Sequence, residues 1–345
     1  MNRVVIDKAE FGKLVERHGL FLKNSRAGGR LTVQGAAIRG VKAVEINLSN
    51  VELFNSSVEN CAFWRIKFNS SVFEQSRFQG CVFDGSMFRS ANLTGIRARA
   101  TSFKSADLTD ADISPAVLNI RGDQRPSDLR GTDLEKASLK NANLTRADLQ
   151  SANLFECNLQ GAILRGANLK GANLVGADLT GADITGARLE GADVRNAKLD
   201  GLDLDTLAEA GVVGLSRLDK LPKKVSEKLK RHVQWVMSGG RSGIRASFRD
   251  SELKGLDLSN VDLTLADLFG TDLSATNLAG AHLPRADLSS AILDGTNLRG
   301  ADLRGAILTN ALMENAELED AQLGPIRVET ATGIVNLDTQ GLSGR

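Results

Sequence analysis

Few side chains in this 345-residue sequence are equipped for covalent or acid–base chemistry, and they are scattered. The histidines are His18, His232 and His282; the cysteines are Cys61, Cys81 and Cys157. Their spacing suits no zinc site, and no glycine-rich phosphate loop leads from a strand into a helix. His282 stands twenty residues from both Asp262 and Asp302. Stacked, those three would make a column able to bind a proton or a metal. The column lacks a nucleophile and a pocket, so it is read as surface. No catalytic, cofactor-binding or metal-ligating residue is assigned, and the chain is not expected to be an enzyme.

Binding chemistry has one better candidate. Residues 214–245 hold nine bases against two acids. Apolar residues recur there at Val225, Leu229, Val233 and Val236, after Pro222 and before Gly239-Gly240, which predicts a short helix. Lys223, Lys224, Lys228 and Arg231 fall on its opposite face. With Trp235 and Arg241 they form the candidate partner-binding set, because clustered cations beside an indole suit an interface. The competing reading is a solvated helix face with Trp235 closing an apolar cap. Trp64 raises the same question beside Arg65 and Lys67.

The elements that position these residues follow from a period of five. Leucine or an apolar substitute returns every fifth residue, as in Ala167-Asn168-Leu169-Lys170-Gly171 followed by Ala172-Asn173-Leu174-Val175-Gly176. From Leu129 to Leu204 and from Leu253 to Val328 every such position is apolar; from Leu48 to Leu118 only Ala98 is small. A helix turns about 500° over five residues, so the leucines would wander off any face. A continuous strand alternates with period two, and five is odd. Three extended residues and a two-residue corner satisfy both constraints. With the leucine at position i, i−2 and i point inward, i−1 points outward, and i+1 and i+2 turn. Position i−2 is accordingly small, i−1 polar, and i+2 often glycine. Proline avoids the three extended positions: Pro115 and Pro325 fall at i+2 and Pro284 at i+1, while Pro126 and Pro222 lie in breaks.

These residues resemble the pentapeptide-repeat family, whose consensus is A(D/N)LXX, over two-thirds to three-quarters of the chain. The resemblance implies an all-β solenoid, a right-handed quadrilateral β-helix with four pentapeptides per coil. Short capping helices and one helical insertion would complete it. At twenty residues per coil, Phe63, Phe83 and Phe103 stack on one wall, and their inward phase makes them core. The cysteines all occupy i−2 and read as packing in a reducing compartment. With no signal peptide and no bilayer-length apolar run, a cytoplasmic location is expected.

The expected organisation is an N-terminal helix or cap (1–32), a Phe-rich run (33–118), a loop (119–128), a Leu-rich run (129–204), a basic helical insertion or second cap (205–247), an acidic run (248–328) and a C-terminal tail (329–345). In the loop, Arg121 and Arg125 are balanced along the sequence by Asp123 and Asp128. The segments after Lys13-Leu14-Val15-Glu16-Arg17-His18 and Lys228-Leu229-Lys230-Arg231-His232 run in parallel, which indicates a duplication with a helix capping each repeat run. Two bodies joined near 205–247 are expected rather than one rod; the alternative is a helix lying along the side of a continuous solenoid.

The function expected is a non-catalytic scaffold for macromolecular interaction, with an unidentified protein as partner and no small-molecule substrate. The resemblance supplies an alternative, imitation of duplex DNA to regulate or protect DNA gyrase or topoisomerase. The acidic run 248–328, with thirteen acids against six bases, would serve it, whereas the overall charge of +1 argues against a whole-molecule mimic. Direct nucleic-acid or membrane binding rests on the basic helix alone. Homodimerisation stays open.

Overall fold

The computed structural model describes residues 4–24, 26, 28–330 and 333–341. They divide into two compact units after Val213. In both, parallel bridges join residues one coil apart. Asn153↔Asn173, Asn158↔Asp178, Ile163↔Asp183 and Asn168↔Arg188 give the four columns of the first unit. Asp267↔Asp287, Asp272↔Ile292, Asn277↔Asn297 and His282↔Asp302 give those of the second. Four pentapeptides therefore complete a coil, and the chain is a β-solenoid.

One repeat shows why the sequence adopts this path. Leu169 N–H donates to Arg188 O (2.7 Å) and Gly171 N–H to Glu190 O (3.0 Å) in the next coil. Asn168 N–H donates to Ala147 O (2.9 Å) in the previous coil, and Ala167 N–H to Leu164 O (3.0 Å) closes the corner. Lys170 N–H finds no backbone carbonyl and is taken by Asn168 Oδ1 at 3.3 Å. Asparagine or aspartate at i−1 thus holds the corner, as an Asx turn does. The i+2 residue has a left-handed φ, +62° at Gly171 and +58° at Lys136, which favours glycine there.

The interior is filled by apolar side chains. Leu169 and Leu174 are buried with Ala167 and Ala172 beside them. Phe63–Phe83 and Phe83–Phe103 stack with centroids 5.6 and 5.2 Å apart, as the inward phase predicts. Some i−2 hydroxyls replace a corner bond: Ser71 Oγ accepts from Val51 N–H (3.2 Å) and donates to Leu48 O (3.1 Å) one coil away. Cys61, Cys81 and Cys157 are buried free thiols, and burial pushes the Cys157 thiol up.

Leu323, an i position, is 43 % exposed rather than core. Three further positions that the period assigns to the core are corrected because the chain leaves the wall. Leu118 is 46 % exposed, because the chain leaves the wall in a hairpin of Ala116–Val117 with Gln124–Arg125; Leu129 fills the core instead. Leu204 begins helix α2 (Leu204–Glu209 in the structure), and the wall resumes at Val213, bridged to Asp193. Val328 lies in strand Ile326–Thr330, antiparallel to Gly333–Leu337, and Gln340 takes the wall position beside Ile307. At each place a loop or helix can detour without interrupting the stack, so the five-residue count overruns the wall.

Helices occupy the start of each unit's repeats. In the first, α1 (Lys8–Leu22, numbered first in chain order) is capped by Asp7, whose Oδ1 accepts from Glu10 N–H at 2.9 Å, and Phe11 packs on Phe63. In the second, α3 (Lys223–Met237) follows Pro222 and buries Leu229 in the repeat core.

The phase assignment has a direct consequence. Ala172→Leu is expected to overpack the interior and cost about 1–3 kcal/mol in urea unfolding. Lys170→Ala, at an exposed corner, is expected to change stability by less than about 0.5 kcal/mol. Equal effects at the two sites would contradict the phase.

Candidate macromolecular interface

Helix α3 is held to its repeats by a histidine. His232 is fully buried, and its Nδ1 accepts from Ala246 N–H at 3.0 Å. His18 does the same in the first unit, accepting from Leu31 N–H at 3.1 Å. An accepting Nδ1 leaves the proton on Nε2, which at His18 donates to Ser49 O at 2.9 Å. Both rings are therefore neutral struts between a capping helix and the first coil. Burial lowers the pKa of each, with Ser49 O acting in the opposite sense at His18 and Asp262 at His232.

The six candidate residues separate into two groups. Lys228 Nζ donates to Ser247 O at 2.6 Å and lies 4.6 Å from the Phe248 ring, so it fastens the helix to the repeats. The half-buried Trp235 stacks on His232 with centroids 5.8 Å apart, and Gly240 passes against its indole. Both residues have internal partners. Lys223 makes only an exposed 3.9 Å contact with Glu227, and Arg241 Nε donates to Ser238 O at 2.9 Å. Lys224 and Arg231 are exposed, with no side-chain partner among the described residues. Lys230, outside the set expected from the sequence, is exposed with them.

The acidic repeats are built differently. Asp257, Asp272 and Asp287 each accept from the corner N–H two residues on, at 3.1, 2.9 and 3.0 Å. Arg249 pairs with Asp267, Arg304 with Asp302, and Arg299 with Glu317 and Glu319. The His282 column places Nδ1 3.9 Å from Asp302 Oδ2, a carboxylate already engaged by Arg304. Among the described residues no group of His, Cys, Asp and Glu is arranged to hold a metal, and no helix is long and apolar enough to cross a membrane.

The profile described as pentapeptide repeats matches residues 66–104, 127–161, 162–201, 266–305 and 296–324. Among solved structures, HetL from the cyanobacterium Nostoc sp. strain PCC 7120, a pentapeptide repeat protein involved in heterocyst differentiation regulation, is 23% identical. It aligns over 88% of this chain and 95% of its own, with a TM-score of 0.28. QnrB1, a plasmid-mediated fluoroquinolone resistance protein, is 19% identical over 63% of this chain and 100% of its own, with a TM-score of 0.32. A pentapeptide repeat protein from the Arabidopsis thaliana thylakoid lumen is 25% identical over 37% of this chain and 77% of its own, with a TM-score of 0.23. With TM-scores this low, the superpositions carry no argument; the repeat match does. No curated protein matches the sequence.

Two measurements follow from the geometry. Lys228→Ala is expected to cost about 1 kcal/mol, through the lost carbonyl bond and ring contact, while Lys224→Ala stays within about 0.5 kcal/mol. The unfolded chain takes up protons at both histidines below about pH 6.5, and the folded chain resists them. Their stabilisation is complete above that value and is lost as the pH falls toward the lowered folded values. The Tm is expected to drop between about pH 7 and 5.5, and combining His18→Gln with His232→Gln should flatten that slope.

Proposed function

The chain belongs to the pentapeptide-repeat family, and from that premise we propose that it is a non-catalytic binding scaffold whose second unit presents the outer cations of α3 to an acidic surface of a protein partner. One observation carries this reading. Lys224, Lys230 and Arg231 stand exposed without an acidic partner among the described residues, whereas Arg249, Arg299 and Arg304 of the acidic repeats are paired. Cations held free on a fixed helix steer association and select an acidic partner. The solenoid beneath supplies a surface whose backbone needs little ordering on binding.

The alternative, imitation of DNA toward gyrase or topoisomerase, draws on the acidic run. It has weaker support, because Asp257, Asp272 and Asp287 each commit a carboxylate oxygen to a corner N–H. Aspartate at i−1 serves the repeat's own corner, whatever the partner.

The test is affinity capture from nuclease-treated lysate, comparing the intact chain with a variant carrying Lys224→Ala, Lys230→Ala, Arg231→Ala and Arg241→Ala. The variant is expected to keep its Tm and lose one protein partner, whose capture by the intact chain weakens with moderate salt. Gyrase captured equally by both, together with an effect on supercoiling, would favour mimicry instead. Identical capture profiles without gyrase would remove α3 as the docking element.

A further inference from the structure

The hairpin that interrupts the first unit's wall creates a recess with unusual charge. Arg125 Nη2 donates to Gln75 O (3.3 Å), and Arg146 Nη1 donates to Gln124 Oε1 (3.1 Å), which fixes the hairpin against coils on either side. The close approach requires Gly95: at its φ of +60°, a Cβ would lie 2.5 Å from Ala116 Cβ. Between hairpin and wall is a cavity of about 530 Å³, lined by Arg77, Arg97, Arg99, Arg125, Arg130 and Asp128.

The pairing within this cluster is uneven. Asp128 Oδ2 takes Arg99 at 3.0 Å and Arg130 at 2.9 Å, and Arg130 first among its contacts holds the carboxyl down to about 2. Asp123 accepts from Asn119 within the hairpin. The balance along the sequence therefore fails in space, because neither aspartate pairs with Arg125. Arg77, Arg97 and Arg125 have no ion pair among the described residues. Arg77 and Arg97 are Cα partners on adjacent coils, about 4.8 Å apart. Arg125 Nε is buried with no hydrogen-bond partner. Burial, then the charges of Arg97 and Arg77, push its pKa down. A desolvated guanidinium N–H with no acceptor is costly, and three like charges around one recess add to the cost. An anion in the recess would relieve the crowding of like charge.

The extent of the patch decides the kind of anion. Along the same wall Glu59 lies below it, paired with Arg39, and Asp148 lies above it, 3.3 Å from Arg130. Two coils of positive charge bounded by acids do not make a track for a nucleic-acid strand, which needs a continuous basic groove. The volume falls within the range of small-molecule sites, roughly 300–1,000 Å³, and exceeds what a single phosphate fills. Guanidinium forks match phosphate oxygens in pairs.

We propose that this recess binds a compact polyphosphate of nucleotide size, with Arg77, Arg97 and Arg125 as its ligands. The site belongs to the first unit and is independent of the role given to α3.

Calorimetric titration of the full chain with ATP and with inorganic tripolyphosphate tests it. One-to-one binding of at least one probe is expected, weakened about tenfold or more by Arg77→Gln and by Arg125→Gln. Arg65→Gln, which breaks the exposed pair with Glu45 outside the recess, should leave it unchanged. Tighter binding of ATP assigns a nucleotide; equal binding assigns the phosphate chain alone. Arg77 is exposed, so its variant is expected to fold even if Arg125→Gln does not. Absence of binding by both probes would overturn the proposal. So would binding that survives Arg77→Gln with the fold intact, or a preference for single-stranded DNA over either probe.

Discussion

The N–H of the residue after each leucine is the group on which the rest of this structure depends. In Ala167–Gly171 the stacking of coils and the closing of corners supply backbone acceptors for four of the five N–H groups. The fifth points away from the ladder at an exposed corner, where a side chain of the same repeat takes it. A carboxylate or carboxamide at i−1 reaches it from two residues away, as Asn168 and Asp257 do. Polar residues on the walls are thus set first by the backbone.

That requirement changes what an acidic surface means. Rows of aspartate on a flat wall look like paired carboxylates for catalysis or like phosphates in imitation. Here they are the price of the corner, and many are further engaged by arginines one coil away or two residues on. The informative polar residues are those that the repeat does not require. They sit where the repeat is interrupted: on α3, and around the hairpin between Ile113 and Ser127. Natural chains tend to break their own local rules at functional places, and both candidate surfaces coincide with such breaks.

The two capping helices show one solution used twice. Each sends a buried neutral histidine to the first coil, where its Nδ1 accepts a backbone N–H that no preceding strand can take. Helix and coil are thereby coupled by hydrogen bond as well as by packing. An exposed solenoid end would leave both apolar core and unpaired strand edge in water. The helix covers the core and the imidazole covers the edge.

The sequence by itself determined the flat sides and corners of a solenoid, since apolar i, small i−2, polar i−1 and glycine-rich i+2 at a period of five require them; the four-sided coil was implied by the family resemblance. The sequence also carried the capping helices, through the parallel segments around His18 and His232, and the inward phenylalanine ladder. Tertiary structure decided which charges are free. Lys228 reads as surface chemistry along the chain but turns inward to Ser247 and Phe248, while Trp235, which the sequence also allows as part of an apolar cap, stacks on His232. Asp128 balances Arg125 along the sequence but belongs to Arg99 and Arg130 in space, and Arg125 instead meets Arg77 and Arg97. The reason is geometric. In a solenoid a side chain's neighbours are the residues one coil away, twenty positions along or thirty-one across the inserted hairpin. Charges adjacent in sequence need never meet, and those that share a recess come from different coils.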